Sequence, residues 1–362
     1  MAGVMTFLTG ILNLGIFLQV EGRFLVIVTG LPTETLPLIM GILLIFVVIY
    51  TMLGGMFSVV LTDVFQFVLI VAGIIFTSWF AFTHAGGAEG MVTAVREQFG
   101  DAGFNLWEAP KYGMLFLIWT TLYYLSGWSG WQPVVQRTLS MKDVATAMKL
   151  YRISSIFMFF RACMPMLWGI AALSILGIIA DSQTALPRML VIVIPAGMIG
   201  FIMLGFLAAS MSTYDSYLLA FSSIFVQDIW VPLLKREIRD EQRMFYTRSA
   251  IVVIAIFVYL FGIYFTFTDT VFRLIVLTGS LSFAGILTGL IGGLYWKRAN
   301  TRGAYFAFAA SAVPPIVALF MPGIDTTNAG LLSFVIAPLA LIAGSVCFNP
   351  NDAGGAGRAS QG

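Results

Sequence analysis

Almost the whole of this 362-residue chain divides into apolar runs of about twenty residues, the length that carries an α-helix across the hydrocarbon of a bilayer. A membrane gives backbone amides no water to bond, so spanning segments are helices or closed barrels, and long apolar runs without alternation are helices. The fold class is therefore all-α, a polytopic membrane helix bundle of about ten spans. They lie near 1–20, 36–53, 56–82, 113–128, 151–178, 196–230, 246–266, 269–296, 302–321 and 329–348. Residues that are 59% hydrophobic and 10% charged, with a mean hydropathy of +0.96, exclude a soluble core. A net charge of +2 excludes a nucleic-acid surface. Cys163 and Cys347 fall in different spans and the single histidine, His84, in a polar loop. These leave neither a disulfide framework nor metal-ligand spacing, and an intramembrane enzyme is the least favoured class. Met1 opens directly into an apolar run with no basic n-region, which argues against a cleaved signal peptide.

Basic residues set the expected topology. With the N-terminus in the cytoplasm, Arg137, Lys142, Lys149, Arg152, Lys235, Arg236, Arg239, Arg243, Arg248, Lys297, Arg298, Arg302 and Arg358 all fall inside. That is most of the nineteen Lys and Arg, and the positive-inside rule then puts both termini in the cytoplasm of a plasma membrane, the inner membrane if the cell is bacterial. The transporter domain is expected over 1–348, and the Gly- and Asp-bearing tail 349–362 to be a disordered cytoplasmic segment.

Polar residues inside these spans are the functional signal. Ala209, Ser212, Thr213 and Ser216 are spaced i, i+3, i+4 and i+7, one face of a helix, with Asp215 on its flank. An acid at this depth costs at least about 2.5–3.5 kcal/mol and needs a partner or a task. Hydroxyls and a carboxylate without Cys or His are hard oxygen ligands for a small cation. The other reading is that the hydroxyls back-bond to their own helix or join helices. Asp63, sharing a face with Gln66, is either a helix-start carboxylate complementing the dipole or the second acid of a cation site with Asp215.

Two further features concern a solute. Ser126-Gly127-Trp128-Ser129-Gly130-Trp131-Gln132-Pro133 interrupts the fourth span, and broken helices in transporters mark substrate sites; a span ending at Gly127 is the alternative. Arg161, about 14 Å along its helix from Arg152, should face a cavity or a carboxylate, and Pro165 predicts a kink four residues on.

These residues resemble the sodium/solute symporter family. Tyr50-Thr51-Met52-Leu53-Gly54-Gly55 through Thr62-Asp63-x-x-Gln66 is similar to the family's fourth and fifth core helices. Gln132 through Gln136-Arg137-Thr138-Leu139 with Lys142 resembles the sixth helix and its loop. Ser212-Thr213-x-Asp215-Ser216-x-Leu218-Leu219, with Ser222-Ser223 and Asp228, resembles the eighth. Ala284-Gly285-Ile286-Leu287 with Trp296-Lys297-Arg298 and Arg302-Gly303-Ala304 resembles the tenth.

The resemblance implies an inverted-repeat transporter core and sodium-coupled symport of a small polar solute (sugar, amino acid or organic acid). It implies a first Na+ site at the Ala209 carbonyl, Ser212 and Thr213, and a second cation site at Asp63, Asp215 and Ser216 with Ser212. Trp128, Gln132 and Arg161 become the solute-facing residues. Arg161-x-x-Met164-Pro165 is similar to a Lys-x-x-Met-Pro segment of the sugar-transporting branch, but Val276 stands where that branch has a sugar-contacting glutamine, and Arg161 favours a carboxylate-bearing solute. Only three spans precede the broken helix, so the core is expected to lack its first two core helices, and a missing N-terminal segment joins the bilayer and the solute among the partners. A transporter-like sensory or regulatory module is the alternative function; a channel would need a ring of like residues that the sequence does not repeat.

Overall fold

The computed structural model describes residues 2–348 apart from 106, 108–112, 236–237, 266–270 and 322. The tail 349–362 and Arg236 therefore lie outside the described residues. The helices are α1 (Ala2–Thr29), α2 (Leu36–His84), α3 (Gly87–Phe99), α4 (Met114–Gly130), α5 (Gln132–Leu139), α6 (Val144–Leu176) and α7 (Ala185–Val193). They continue with α8 (Ala196–Ile224), α9 (Val231–Leu234), α10 (Asp240–Tyr264), α11 (Val271–Tyr295), α12 (Thr301–Phe320) and α13 (Thr326–Cys347).

Nine stretches among the described residues are long and apolar enough to cross a membrane, against the ten expected. The remaining one, α4, has 17 residues and is interrupted as the glycines predict. The break is narrower than the Ser126–Pro133 motif, however. α4 runs to Gly130, the Trp131 amide still bonds the Gly127 carbonyl at 2.8 Å, and the Val134 amide already bonds the Trp131 carbonyl at 2.9 Å. Only Trp131 stands outside both helices. The first span also extends past its expected end at residue 20 to Thr29, through Glu21 and Arg23. Arg23 reaches Gln183 at 3.4 Å, and protein contacts of this kind let a helix carry charge where lipid would not. α6 continues through Pro165.

The chain divides into two compact units. The first comprises residues 1–13, 114–135 and 268–362 and is built on α11, which is buried almost continuously from Leu274 to Gly285. Small residues let large aromatic ones approach its backbone. A Cβ at Gly279 would stand 2.2 Å from the Tyr123 ring, and one at Gly330 2.0 Å from the Trp119 indole. The polar atoms of this core pair with one another. The Trp119 indole N–H donates to Ser280 Oγ at 3.0 Å, Thr278 donates to Asn13 Oδ1, and Thr9 lies 3.1 Å from Ser282 Oγ.

The second unit comprises residues 14–113 and 136–267. α2 is helical over its 49 residues, yet its two parts run in opposite directions along α8. Tyr50 touches Met211 and Asp215, and Thr51 to Gly54 share a pocket with Leu219, Ser223 and Gln227, so the first part runs parallel to α8. Asp63 then meets Ser212, Gly73 lies beside Gly205, and Phe76 packs on Phe201 at 5.6 Å, so the second part is antiparallel to it. The reversal falls between Gly54 and Val59, where the Gly54-Gly55 pair divides the two expected spans. α8 is thus gripped by α2 on two sides.

Candidate functional site

α8 carries the site because its sequence places hydroxyls and an acid on faces that α2 covers. Asp63 accepts from Ser212 through one carboxylate oxygen and from Arg137 Nη2 through the other at 2.7 Å. The same guanidinium nitrogen donates to Ser216 Oγ at 2.7 Å. The Ser216 hydroxyl lies 2.7 Å from the Ser212 carbonyl and 3.1 Å from Asp215 Oδ1. Asp215, fully buried, accepts at Oδ2 from the Tyr50 hydroxyl at 2.8 Å. The two acids expected to share a site are therefore linked through Ser212, Ser216 and Arg137. Each carboxylate oxygen has capacity for a second partner, so these groups keep acceptor sites for a cation.

The first expected cation set is also assembled locally. Thr213 Oγ1 donates to the Ala209 carbonyl at 2.9 Å, which sets these two oxygens side by side one helical turn apart. That back-bond is also what a purely structural threonine makes. What distinguishes the position is its surroundings: Ala209, Ser212 and Thr213 line a groove of about 1300 Å³ together with Asp63, Ser78, Trp168 and Arg161. Its other walls are largely apolar residues of α2 and α6, among them Phe67, Ile74, Phe157 and Met164.

Arg161 faces this groove, and its one polar contact among the described residues is Met158 Sδ at 3.8 Å. A cation on a mostly apolar wall, paired with no carboxylate among the described residues, suits recognition of an anionic group. Trp128, on α4, and Gln132, at the start of α5, belong to the first unit, on either side of the Trp131 break. The groove walls all come from the second unit.

Three contributors escaped the sequence reading. Arg137 counted only as a basic residue of a loop motif, but α5 carries it onto Asp63. Tyr50 lay within a motif and was given no role. Glu21 lies inside α1 and faces the Tyr214 and Ser210 hydroxyls of α8; Tyr214 Oη and Glu21 Oε2 are buried without a hydrogen-bond partner among the described residues. Its signal was an acid within an otherwise apolar run, masked by ending the first span at residue 20 rather than at Thr29.

The sodium:solute symporter family model matches residues 4–310. The sodium/glucose cotransporter of Vibrio parahaemolyticus is 30% identical over 81% of this chain and 60% of that protein. The high-affinity proline transporter PutP of Bacillus subtilis (strain 168) is 26% identical over 80% of this chain and 59% of that protein. The chain thus spans about 60% of the length of these relatives. A solved structure of a substrate-bound, outward-open Na+-coupled sialic acid symporter superposes with a TM-score of 0.80 at 21% identity, covering 96% of this chain and 74% of that one, which establishes the shared fold. The family model spans residues 4–310, well over half of the chain, and the chain belongs to the sodium:solute symporter family.

Proposed function

We propose that this chain takes part in sodium-coupled symport of a small polar solute. The observation that carries this reading is that Asp63, Ala209, Ser212 and Thr213 line one groove together with the cationic Arg161. Every cation ligand is a hard oxygen, as a small alkali cation prefers. Ala209, Ser212 and Thr213 form the first site; Asp63, Asp215 and Ser216 form the second. Because Arg137 holds Asp63 Oδ2, a cation reaching that carboxylate must share it with the guanidinium or displace it. Sodium binding thereby loosens the tie between α5 and α2, a differential interaction of the kind that shifts a conformational equilibrium.

The glucose and proline named for the relatives bracket the solute class, and Arg161 favours a member bearing a carboxylate. The test is equilibrium binding of radioactive sodium to purified residues 1–362, with potassium as competitor, followed by a panel of labelled sugars, amino acids and organic acids at high and at vanishing sodium. Saturable sodium binding that potassium does not displace is expected, with solute retention only when sodium is present. Sodium binding that stays linear with concentration would refute the site, and solute binding indifferent to sodium would refute the coupling.

A further inference from the structure

A second pocket, of about 470 Å³, lies away from the groove. It is lined by Thr51 to Gly54 of α2, by Leu219 and Ser223 of α8 with Gln227 just beyond it, and by Asp240, Arg243, Met244, Thr247, Arg248 and Ile251 of α10. Three observations set it apart from an ordinary crevice. Arg243 and Arg248 both line it, and neither makes an ion pair with any described residue. Thr51 is 1% exposed, and its hydroxyl has no hydrogen-bond partner among the described residues, although helical threonines usually back-bond to their own turn. Finally, the polar residues are joined by Met52, Leu53, Leu219, Met244 and Ile251, so the pocket is amphipathic.

We infer that this pocket binds the phosphate of an anionic phospholipid headgroup. Two guanidinium groups offer the planar, multiple donors that phosphate oxygens favour, and the Thr51 hydroxyl supplies a third donor from within the wall. The single carboxylate, Asp240, opens α10, where the positive end of the helix dipole offsets it, leaving the lining net positive. Leu53 and Met244, which both line the pocket, are 78% and 52% exposed, so acyl chains find apolar surface there. Arg243 and Arg248 belong to the set that the basic-residue bias assigns to the cytoplasmic face, where anionic headgroups concentrate. The pocket does not depend on the transport reading, since none of its residues belongs to the proposed sodium sites. Thr51 is nevertheless the neighbour of Tyr50, so an occupied pocket bears on the turn of α2 that holds Asp215.

The experiment is a thermal-unfolding titration of purified residues 1–362 with phosphatidylglycerol, with phosphatidylcholine and with inorganic phosphate alone, repeated for Arg243→Gln/Arg248→Gln and for Thr51→Val. A saturable rise in melting temperature with phosphatidylglycerol only is expected, lost in the double arginine variant and reached at severalfold higher lipid in Thr51→Val. Both arginines are exposed, so the variant should melt like the parent without lipid. An undiminished shift in the double variant would overturn the pocket. An equal rise with phosphatidylcholine would overturn its selectivity, and a shift with inorganic phosphate that matches the lipid would assign the site to a soluble phosphate instead.

Discussion

α8 and α11 are both apolar helices that carry several hydroxyls, and the structure uses the two sets in opposite ways. On α11, Thr278, Ser280 and Ser282 are all buried, and each bonds a neutral polar group: Asn13, Trp119 and Thr9. None of these three partners is charged, and aromatic rings pack directly over Gly279 and Gly330. On α8, Ser212 and Ser216 bond charged partners, Asp63 and Arg137, and Ser212 and Thr213 open onto a groove. A set of hydroxyls by itself is therefore neutral evidence; a carboxylate from another helix and open volume beside it make the difference.

The largest expected effect tests that distinction directly. Asp63→Asn should weaken sodium binding by more than tenfold, or about 1.4 kcal/mol, because it removes the charged ligand and leaves Arg137 with Ser216 alone. Equilibrium sodium binding measures it; an unchanged affinity would make the α8 hydroxyls as structural as those of α11. Ser212→Ala and Thr213→Ala should each raise the half-saturating sodium concentration severalfold, while Thr278→Val on α11 leaves it alone. If both α8 variants bind sodium like the parent, the first site is lost from consideration.

Stability should show the converse pattern. Gly279→Ala drives a methyl group into the Tyr123 ring and should cost about 1–3 kcal/mol through overpacking, read as a lowered melting temperature with sodium affinity retained. Thr278→Val removes one buried hydrogen bond and should cost about 1 kcal/mol. A sodium-affinity change in either variant, with little loss of stability, would erase the contrast between the helices.

The smallest effect lies outside the membrane. Asp143 caps α6, and its carboxylate accepts from the Thr146 hydroxyl and from the Thr146 amide at 2.7 Å, which holds it below the ordinary aspartate value. A depressed carboxylate contributes stability above its unfolded value and loses it as pH falls through the folded one. Fraying of the first turn of α6 should therefore appear only in acid, and hydrogen exchange at Thr146 should show it. In Asp143→Ala that exchange should be fast at every pH.

The sequence alone determined the class, because runs of apolar residues the length of a bilayer admit only helices. It determined most of the spans, the division of α2 at Gly54-Gly55 and an interruption within Ser126–Pro133, since glycine and proline act on the local backbone; that the break narrows to Trp131 came from the structure. Ala209, Ser212, Thr213 and Ser216 were legible as one face because helical periodicity is also local. Pairing was not legible. That Arg137 reaches Asp63 and that Tyr50 serves Asp215 depend on residues 74 or more positions apart, and that Glu21 faces α8 depends on a second helix. Spacing reports what one helix presents, while the partner across the gap is set by how helices cross, and only the tertiary structure decides that.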